Sequence, residues 1–461
     1  MHLNINSIMI RSIISCQRFF IILSLALLPV FNQAVAQVIS LDECHQRTLD
    51  NNLVIKQLNL DVEESKQLKK ELLTNFFPKV RVNASAMQSS DYLIKGSIPA
   101  MNLPVYDGNV ANLANPEQFA YFPGTDLELL DYTYMASITV AQPIYAGGQV
   151  RNGVRLAGKA ENIHKSKALA GIRDELLTTD QYYWRLASLI EKRKTIEGYN
   201  SLLNALYKDV DVAYRNGLVQ RSDMLKVQLK QNELSVKALT LENGIEMCRR
   251  ALCRQMGMQY NAALVPADSA GILLQPQTYF EDPETAVYQR PEYKMLESSV
   301  EVAGLRKKLE TGALMPSLAV GVMGSYYDVM EDGNTIGIAF ATLSIPISDW
   351  WGGSHKIKQK SIEQEKARQA LADNTGKMLL QHHNAYNQMT EAYQKVELAK
   401  VAIAQTSEHL NDMKQNFEAG ACRVSDLLDA QAMWQQSTDN LSEARYHYLS
   451  ELAVYQSLNS D

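Results

Sequence analysis

Gln142-Pro143-Ile144-Tyr145-Ala146-Gly147-Gly148 ends an alternating, strand-like run and opens a charged, periodic segment that stays helical for more than sixty residues. Ile345-Pro346-Ile347-Ser348-Asp349-Trp350-Trp351-Gly352-Gly353 occupies the same setting further along, with an alternating run before it and a long helical segment after it. Pro143 stands 74 positions before Gly217, and Pro346 stands 74 before Gly420. The chemistry after each of those glycines recurs as well: Ser222-Asp223 and Gln228 in one case, Ser425-Asp426 and Gln431 in the other. A repeat this long, with its punctuation in register, means that one structural unit is used twice.

Before the first junction, Val80, Val82, Ala84 and Ala86 alternate with Lys79, Arg81, Asn83 and Ser85, and Tyr134, Ala136, Ile138 and Val140 form a partner run. That period of two predicts a hairpin over about 79–142. Asp91 to Leu130, rich in Asn, Pro, Gly and aromatics and without period, reads as a long loop. Before the second junction, Leu318, Val320, Val322 and Tyr326 lead to Glu331-Asp332-Gly333-Asn334, a turn signal, and then to Ile336–Ile345, a hairpin over about 317–346. Each strand is about ten residues, the length that crosses a bilayer at barrel tilt. Alternation alone leaves a small soluble sheet packed on helices equally open.

The helical arms decide between them. Ala385, Met389, Ala392, Val396, Ala399, Ile403, Thr406, Leu410, Met413 and Phe417 follow at 4-3 spacing, a coiled-coil seam. In the first repeat, Leu169, Ile172, Leu176, Thr179, Tyr183, Leu186 and Ile190 form one such run, and Ile196, Tyr199, Leu203, Leu206, Val210 and Ala213 another. An arm of about 65 residues is about 100 Å long at 1.5 Å per residue, which no compact globular domain accommodates. The first repeat, 37–257, thus holds a hairpin, a long helix at about 149–215 and a return helix at about 222–257. A Pro- and Gly-containing connector, 258–290, leads to the second repeat, 291–461, with its long helix at about 354–418 and return helix at about 425–458.

Residues 1–36 read as a signal peptide: Arg11 and Arg18, an apolar core from Phe19 to Val30, and the small-x-small pattern Ala34-Val35-Ala36. Without them the net charge goes from −6 to −8, which argues against nucleic acid as a partner. Cys44, Cys248, Cys253 and Cys422 carry no CxxC spacing, and the neighbours His382-His383 point apart on a helix. There is no Gly-rich phosphate loop, no metal-spaced His cluster and no nucleophile elbow, so the expectation is a non-enzyme without cofactor or metal. Four strands leave open edges that a membrane does not tolerate, so a barrel requires several copies; three would give twelve strands and room for a lumen.

Three features carry a family resemblance: the doubled proline-to-diglycine start of a long helix at Pro143, Gly147, Gly148 and Pro346, Gly352, Gly353; the doubled glycine turn with a downstream Asp; and Arg290-Pro291-Glu292 leading into the second repeat. In these the chain resembles the TolC-type outer-membrane efflux protein family over nearly its whole mature length. The resemblance implies a homotrimer with a 12-stranded β-barrel in outer-membrane lipid and a periplasmic α-helical coiled-coil barrel. It also implies a periplasmic adaptor protein and an inner-membrane transporter as partners, in efflux or type I secretion. By the same resemblance, adaptor-contacting tips fall at Asn216, Gly217, Leu218 and at Ala419, Gly420, Ala421. A pore gate falls at Asp426 and Asp429, with Phe417 where the family usually has Tyr and Cys422 where its best-known members have Arg. Asp426 also fits a simple role at a helix N-terminus, and Trp350-Trp351 fits either an interfacial belt or ordinary packing. The alternative class is an exported coiled-coil tether with a small β cap and no pore.

Overall fold

The computed structural model describes residues 37–110, 114–129, 132–268, 271, 273–329 and 332–459. The expected leader, 1–36, lies outside them. The chain forms two compact units. One, the sheet unit, is built from Lys56–Gly171 and Asp282–His382; the other, the helical unit, from the described residues up to Ile55, Ile172–Glu281 and His383–Leu458.

In the sheet unit, strand β2 (Lys79–Gln88) pairs with β7 (Tyr132–Ala146), and β9 (Ser317–Val329) with β10 (Asp332–Ser344). Together they make a four-stranded antiparallel sheet of order β10-β9-β7-β2. The register sets Val80 opposite Val140 and Val82 opposite Ile138, and Val140 opposite Val322. One face therefore gathers Val80, Val82, Ile138, Val320 and Val322, all exposed, while Arg81, Asn83, Ser137 and Thr139 occupy the other. β10 departs from this alternation: Ile336, Ile338 and Phe340 stand on the more polar face. Phe340 pairs with Gly321, and its ring fills the space above that glycine where a β-carbon would otherwise project.

The stretch expected to be an aperiodic loop is not one. β3 (Ile94–Ile98) pairs with β6 (Thr125–Leu129), and β4 (Met101–Pro104) with β5 (Phe119–Phe122). Ile98 faces Thr125 and Met101 faces Phe122, so the two ladders share a single register and form one hairpin arm. Pro99 and Pro123 interrupt it because proline supplies no N–H to a ladder. The absence of period came from these prolines and from aromatic side chains on both faces. The second turn signal also shifts: Val329 already pairs with Asp332, so Asp332, Gly333 and Asn334 stand in the ladder.

The two strand-to-helix junctions are not equivalent. β7 continues past Pro143, through a bulge between Pro143 and Tyr145, to Ala146. β2 stops at Lys79 opposite Ala141, so the missing N–H of Pro143 lies beyond that edge. Gly147 and Gly148 then take left-handed backbone, φ +57° and +76°, before helix α3 (Gln149–Arg215) begins. Helix α6 (Pro291–Ala313) ends against this turn, and a β-carbon on Gly147 would collide with the Gly312 carbonyl. At the second junction a 3-10 turn, Ile347–Asp349, leads into α7 (Trp350–Glu418), which starts four residues earlier than the expected 354. Gly352 and Gly353 lie inside its first turn, and the Trp350 indole N–H donates to the Leu314 carbonyl at 2.8 Å. Trp351 is exposed.

The helical unit begins with β1 (Gln37–Ile39), which pairs in parallel with β8 (Leu264–Pro266) in the segment read as a connector. The helical segment that follows is in two parts, α1 (Leu41–Asn51) and α2 (Leu53–Leu73). Asn52 causes the break. Its Oδ1 accepts from the N–H groups of Val54 and Ile55, capping the new helix, and its amide donates to the Gln255 carbonyl and to Glu175. The Tyr183 hydroxyl and the Asp268 carboxylate bond at 2.6 Å, and that carboxylate also accepts from Leu41 N–H. Burial first, and then this acidic partner, push the Tyr183 hydroxyl far up. The return helices are α4 (Arg221–Gln255) and α8 (Val424–Asn459), and a short helix α5 (Pro283–Gln289) precedes α6.

The seams read from 4-3 spacing are the buried faces. Ala385, Met389, Ala392 and Val396 of α7 pack against Tyr448, Leu452, Tyr455 and Leu458 of α8. Tyr183, Leu186 and Ile190 of α3 pack against Ile245, Cys248 and Leu252 of α4. Leu169 is the exception: it is exposed, and Ala168 is buried in its place. Among the described residues no helix is long and apolar enough to cross a membrane.

Candidate functional site

α3 and α7 end in the same way. Gly217 and Gly420 adopt φ +74° and +71°. The N–H of Gly217 donates to Tyr214 and that of Leu218 to Ala213, both at 2.9 Å; Gly420 and Ala421 repeat this with Phe417 and Asn416 at 3.0 and 2.8 Å. This double closure satisfies two of the carbonyls a helix C-terminus leaves without partners. The space around both glycines is open, so the left-handed backbone and not packing demands glycine there. α4 and α8 each begin four residues after their glycine. Asn216, Gly217, Leu218, Ala419, Gly420 and Ala421 are all exposed, and Leu218 presents an apolar side chain at 77% exposure.

Behind the tips one apolar cluster joins all four helices. Tyr199, Leu203, Leu206 and Val210 of α3 meet Val227 and Leu234 of α4 and Val424, Leu427 and Leu428 of α8, with Leu410, Met413 and Phe417 of α7 packed against them. Phe417 therefore contributes its ring to this cluster. Truncating a fully buried leucine in such a cluster, Leu203 for example, costs about 2–5 kcal/mol. Burial first, then the charges of Glu233 and Asp429, push the Tyr199 hydroxyl up to about 12.

Asp426 is the third residue of α8, and its carboxylate accepts from Arg423 N–H at 3.1 Å and from the Ser425 hydroxyl at 3.3 Å. That is a helix-capping geometry, so the capping role weighed for Asp426 is present. Asp429 lies one turn further on and is exposed. Residues three apart on a helix share a face, so both carboxylates project from the same side of α8. The half-buried Cys422 thiol sits beside the Met413 carbonyl, and burial, then Asp426, raise its pKa, which makes it less reactive than a free thiol.

A buried polar row on α8 was not singled out from sequence. Gln431, Gln435, Asp439 and Ser442 recur at 4-4-3 spacing, which keeps them on one face of the helix, and all are buried. Gln435 donates to Asp439 at 2.8 Å, while the other Asp439 oxygen, Gln431 Oε1 and Ser442 Oγ have no hydrogen-bond partner among the described residues. Burial raises the Asp439 pKa against the opposing charge of Lys192. Arg290 stands at the N-cap position of α6, and its side chain spans Glu292 and Gln381, giving Arg290-Pro291-Glu292 a structural role. His382 is buried and bonds Asn459 at 2.6 Å, whereas His383 is exposed. Among the described residues no three His, Cys, Asp or Glu side chains are grouped to hold a metal ion.

The family model for outer membrane efflux proteins matches residues 283–460. The chain is 23% identical over 345 residues to the alkaline protease secretion protein AprF of Pseudomonas aeruginosa, covering 70% of this chain and 69% of that one. It is 24% identical over 330 residues to the outer membrane efflux protein BepC of Brucella suis, covering 67% of each. Its fold matches the outer membrane channel CmeC of Campylobacter jejuni with a TM-score of 0.73 at 14% identity, over 91% of this chain and 85% of that one. The twofold succession of helix, hairpin, very long helix, glycine-closed turn and return helix accords with these matches: residues 283–460 match the outer membrane efflux protein family, and over most of its length the chain is similar to outer-membrane efflux and secretion proteins.

Proposed function

We propose that three copies of this chain form a duct that carries substrates passively from an inner-membrane transporter and a periplasmic adaptor to the cell exterior. The observation that carries this reading is the four-stranded sheet, in which β2 and β10 have no further strand partner among the described residues. Hydrocarbon leaves open edges without hydrogen-bond partners, so strands that cross a membrane must close on themselves. Joining β10 of one copy to β2 of the next closes the ring, and three copies give twelve strands, enough for a lumen. The apolar row Val80, Val82, Ile138, Val322 then faces lipid, and the row with Arg81, Asn83 and Thr139 faces the pore.

At the other end of the long helices, the exposed tips at Asn216-Gly217-Leu218 and Ala419-Gly420-Ala421 offer the adaptor two rigid, glycine-closed turns. Asp426 and Asp429 project from one face of α8, so a trimer gathers six carboxylates around one constriction, with Phe417 bracing the helix pair behind them. Mutual repulsion of such a ring favours bound cations. In this assembly the protein supplies a sealed path and no chemistry.

The test is extraction and mass. A membrane fraction from expressing cells should release the protein only with detergent, and light scattering with detergent subtraction should give three copies per particle. Release by salt or alkali alone, or a monodisperse monomer, would overturn the duct in favour of an exported tether.

A further inference from the structure

The sheet unit contains a cleft of about 770 Å³ between α2, α3, α6 and α7, and its lining is basic. Lys69, Arg155, Lys159, Lys307 and Lys308 converge on it, with Glu301 as the one acidic residue in the lining. This concentration of positive charge stands out in a chain whose net charge is −6.

The ion pairs do not use up the charge. Lys159 pairs with Glu301, and Lys69 bonds at 2.9 Å to Glu161, which it shares with Lys165. Glu161 is buried, so it fixes where the Lys69 ammonium stands. Lys307 donates to the Ser361 hydroxyl at 3.2 Å, a neutral acceptor that leaves its charge uncompensated. Arg155 and Lys308 are exposed and have no carboxylate partner among the described residues. A β-carbon on Gly304 would crowd the cleft, standing 2.9 Å from the Gln364 amide nitrogen, and one on Gly158 would project beside Lys69 at an ordinary contact distance of 3.8 Å. Gln364, Asn162 and Thr311 add neutral hydrogen-bonding groups to the lining.

We propose that this cleft binds a phosphate-bearing anion, held between the Arg155 guanidinium and the Lys307 and Lys308 ammonium groups, with a phospholipid headgroup as its source. The ligand class follows from the donors: a forked guanidinium beside point-charge ammoniums suits tetrahedral phosphate oxygens. The lipid source rests on the outer-membrane reading and on depth. Arg155 is seven positions beyond Gly148, about 10 Å along the helix, and Lys308 is four before Gly312, about 6 Å. The headgroup layer extends about 5–8 Å past the hydrocarbon core, within reach of both side chains. Basic pockets at that level on other membrane proteins take lipid phosphates.

The experiment is native mass spectrometry of the detergent-purified oligomer with added phosphatidylglycerol or phosphatidylcholine, alone and with sodium phosphate as competitor. Wild-type protein should retain phosphatidylglycerol at least fivefold better than phosphatidylcholine. Arg155→Gln/Lys308→Gln should lose that preference, as should Gly158→Leu, which fills the cleft without changing charge. Lys377→Gln, at an ion-paired lysine on the exposed side of α7, should keep it. Displacement of lipid by millimolar phosphate would support the same phosphate site with a soluble source available to it. Equal retention of both lipids, or loss of preference in Lys377→Gln alone, would overturn the proposal while leaving the duct intact. A particle that needs no detergent would instead overturn the duct.

Discussion

Gly147 and Gly352 are counterparts in the sequence repeat, and the structure places opposite demands on them. Alanine at Gly147 would hold a β-carbon in left-handed backbone, φ +57°, and press it into the carbonyl of Gly312. The backbone conformation costs roughly 1–2 kcal/mol for a residue with a side chain, and the overlap adds roughly 1–3 kcal/mol. Gly352 has ordinary helical backbone inside α7, and nothing lies within 4 Å of a β-carbon built there. Alanine at that position should be neutral or stabilise by up to about 1 kcal/mol, through lower entropy of the unfolded chain. The assay is heating of the detergent-solubilised oligomer, followed by helical circular dichroism and by survival of the assembled species on a semi-native gel. At about 2 °C per kcal/mol, Gly147→Ala should lower the midpoint by roughly 4–10 °C, and Gly352→Ala should leave it unchanged or raise it by up to about 2 °C. Gly312→Ala meets the same obstruction from the other side, so combining it with Gly147→Ala should cost less than the sum of the two. A wild-type midpoint for Gly147→Ala, or matching losses at Gly147 and Gly352, would refute the reasoning from backbone and close approach.

Replacing Asp426 and Asp429 with Asn keeps an oxygen acceptor for the Arg423 N–H while removing both charges. In planar bilayers this double variant should lose sensitivity to divalent-cation block from the helical side and show reduced cation preference; unchanged block in an intact trimer would leave the two acids as capping and surface groups only. An epitope inserted at Gly108, where the backbone has φ +93° and open surroundings, should be displayed on intact cells, because long barrel loops lie outside. Accessibility only after outer-membrane permeabilisation would invert the topology. His45 bonds Asp180 at 2.5 Å, and this hydrogen bond raises its pKa against the opposing effect of burial. The pair's contribution is complete below the ordinary histidine value of about 6.5 and fades as pH rises through the raised folded value. Thermal midpoints of wild type and His45→Gln should therefore converge as pH is taken upward from 6.5, and a constant gap would exclude this linkage.

The 4-3 runs on α3 and α7 were legible because helical period is a local property: each side chain's direction follows from its neighbours in the chain, and nearly every position so read is buried or half-buried. The tips were legible for the same reason, since left-handed closure after a long helix selects glycine whatever surrounds it. Tertiary structure was needed wherever the deciding neighbour lies far away in the chain. Gly147-Gly148 and Gly352-Gly353 look alike in sequence, but the first pair takes left-handed backbone, with Gly147 against the end of α6, and the second lies inside a helix. The stretch 91–130 hid its strands because its pairing continues in register across Pro99 and Pro123, and register belongs to two segments at once. The polar row from Gln431 to Ser442 lies on one helix face by its spacing, but only packing against other helices excludes water from it. Lys69, Arg155, Lys307 and Lys308 are unremarkable surface residues in the sequence. They become a basic cleft only when α2, α3 and α6, distant along the chain, are brought together and leave some of that charge without a partner.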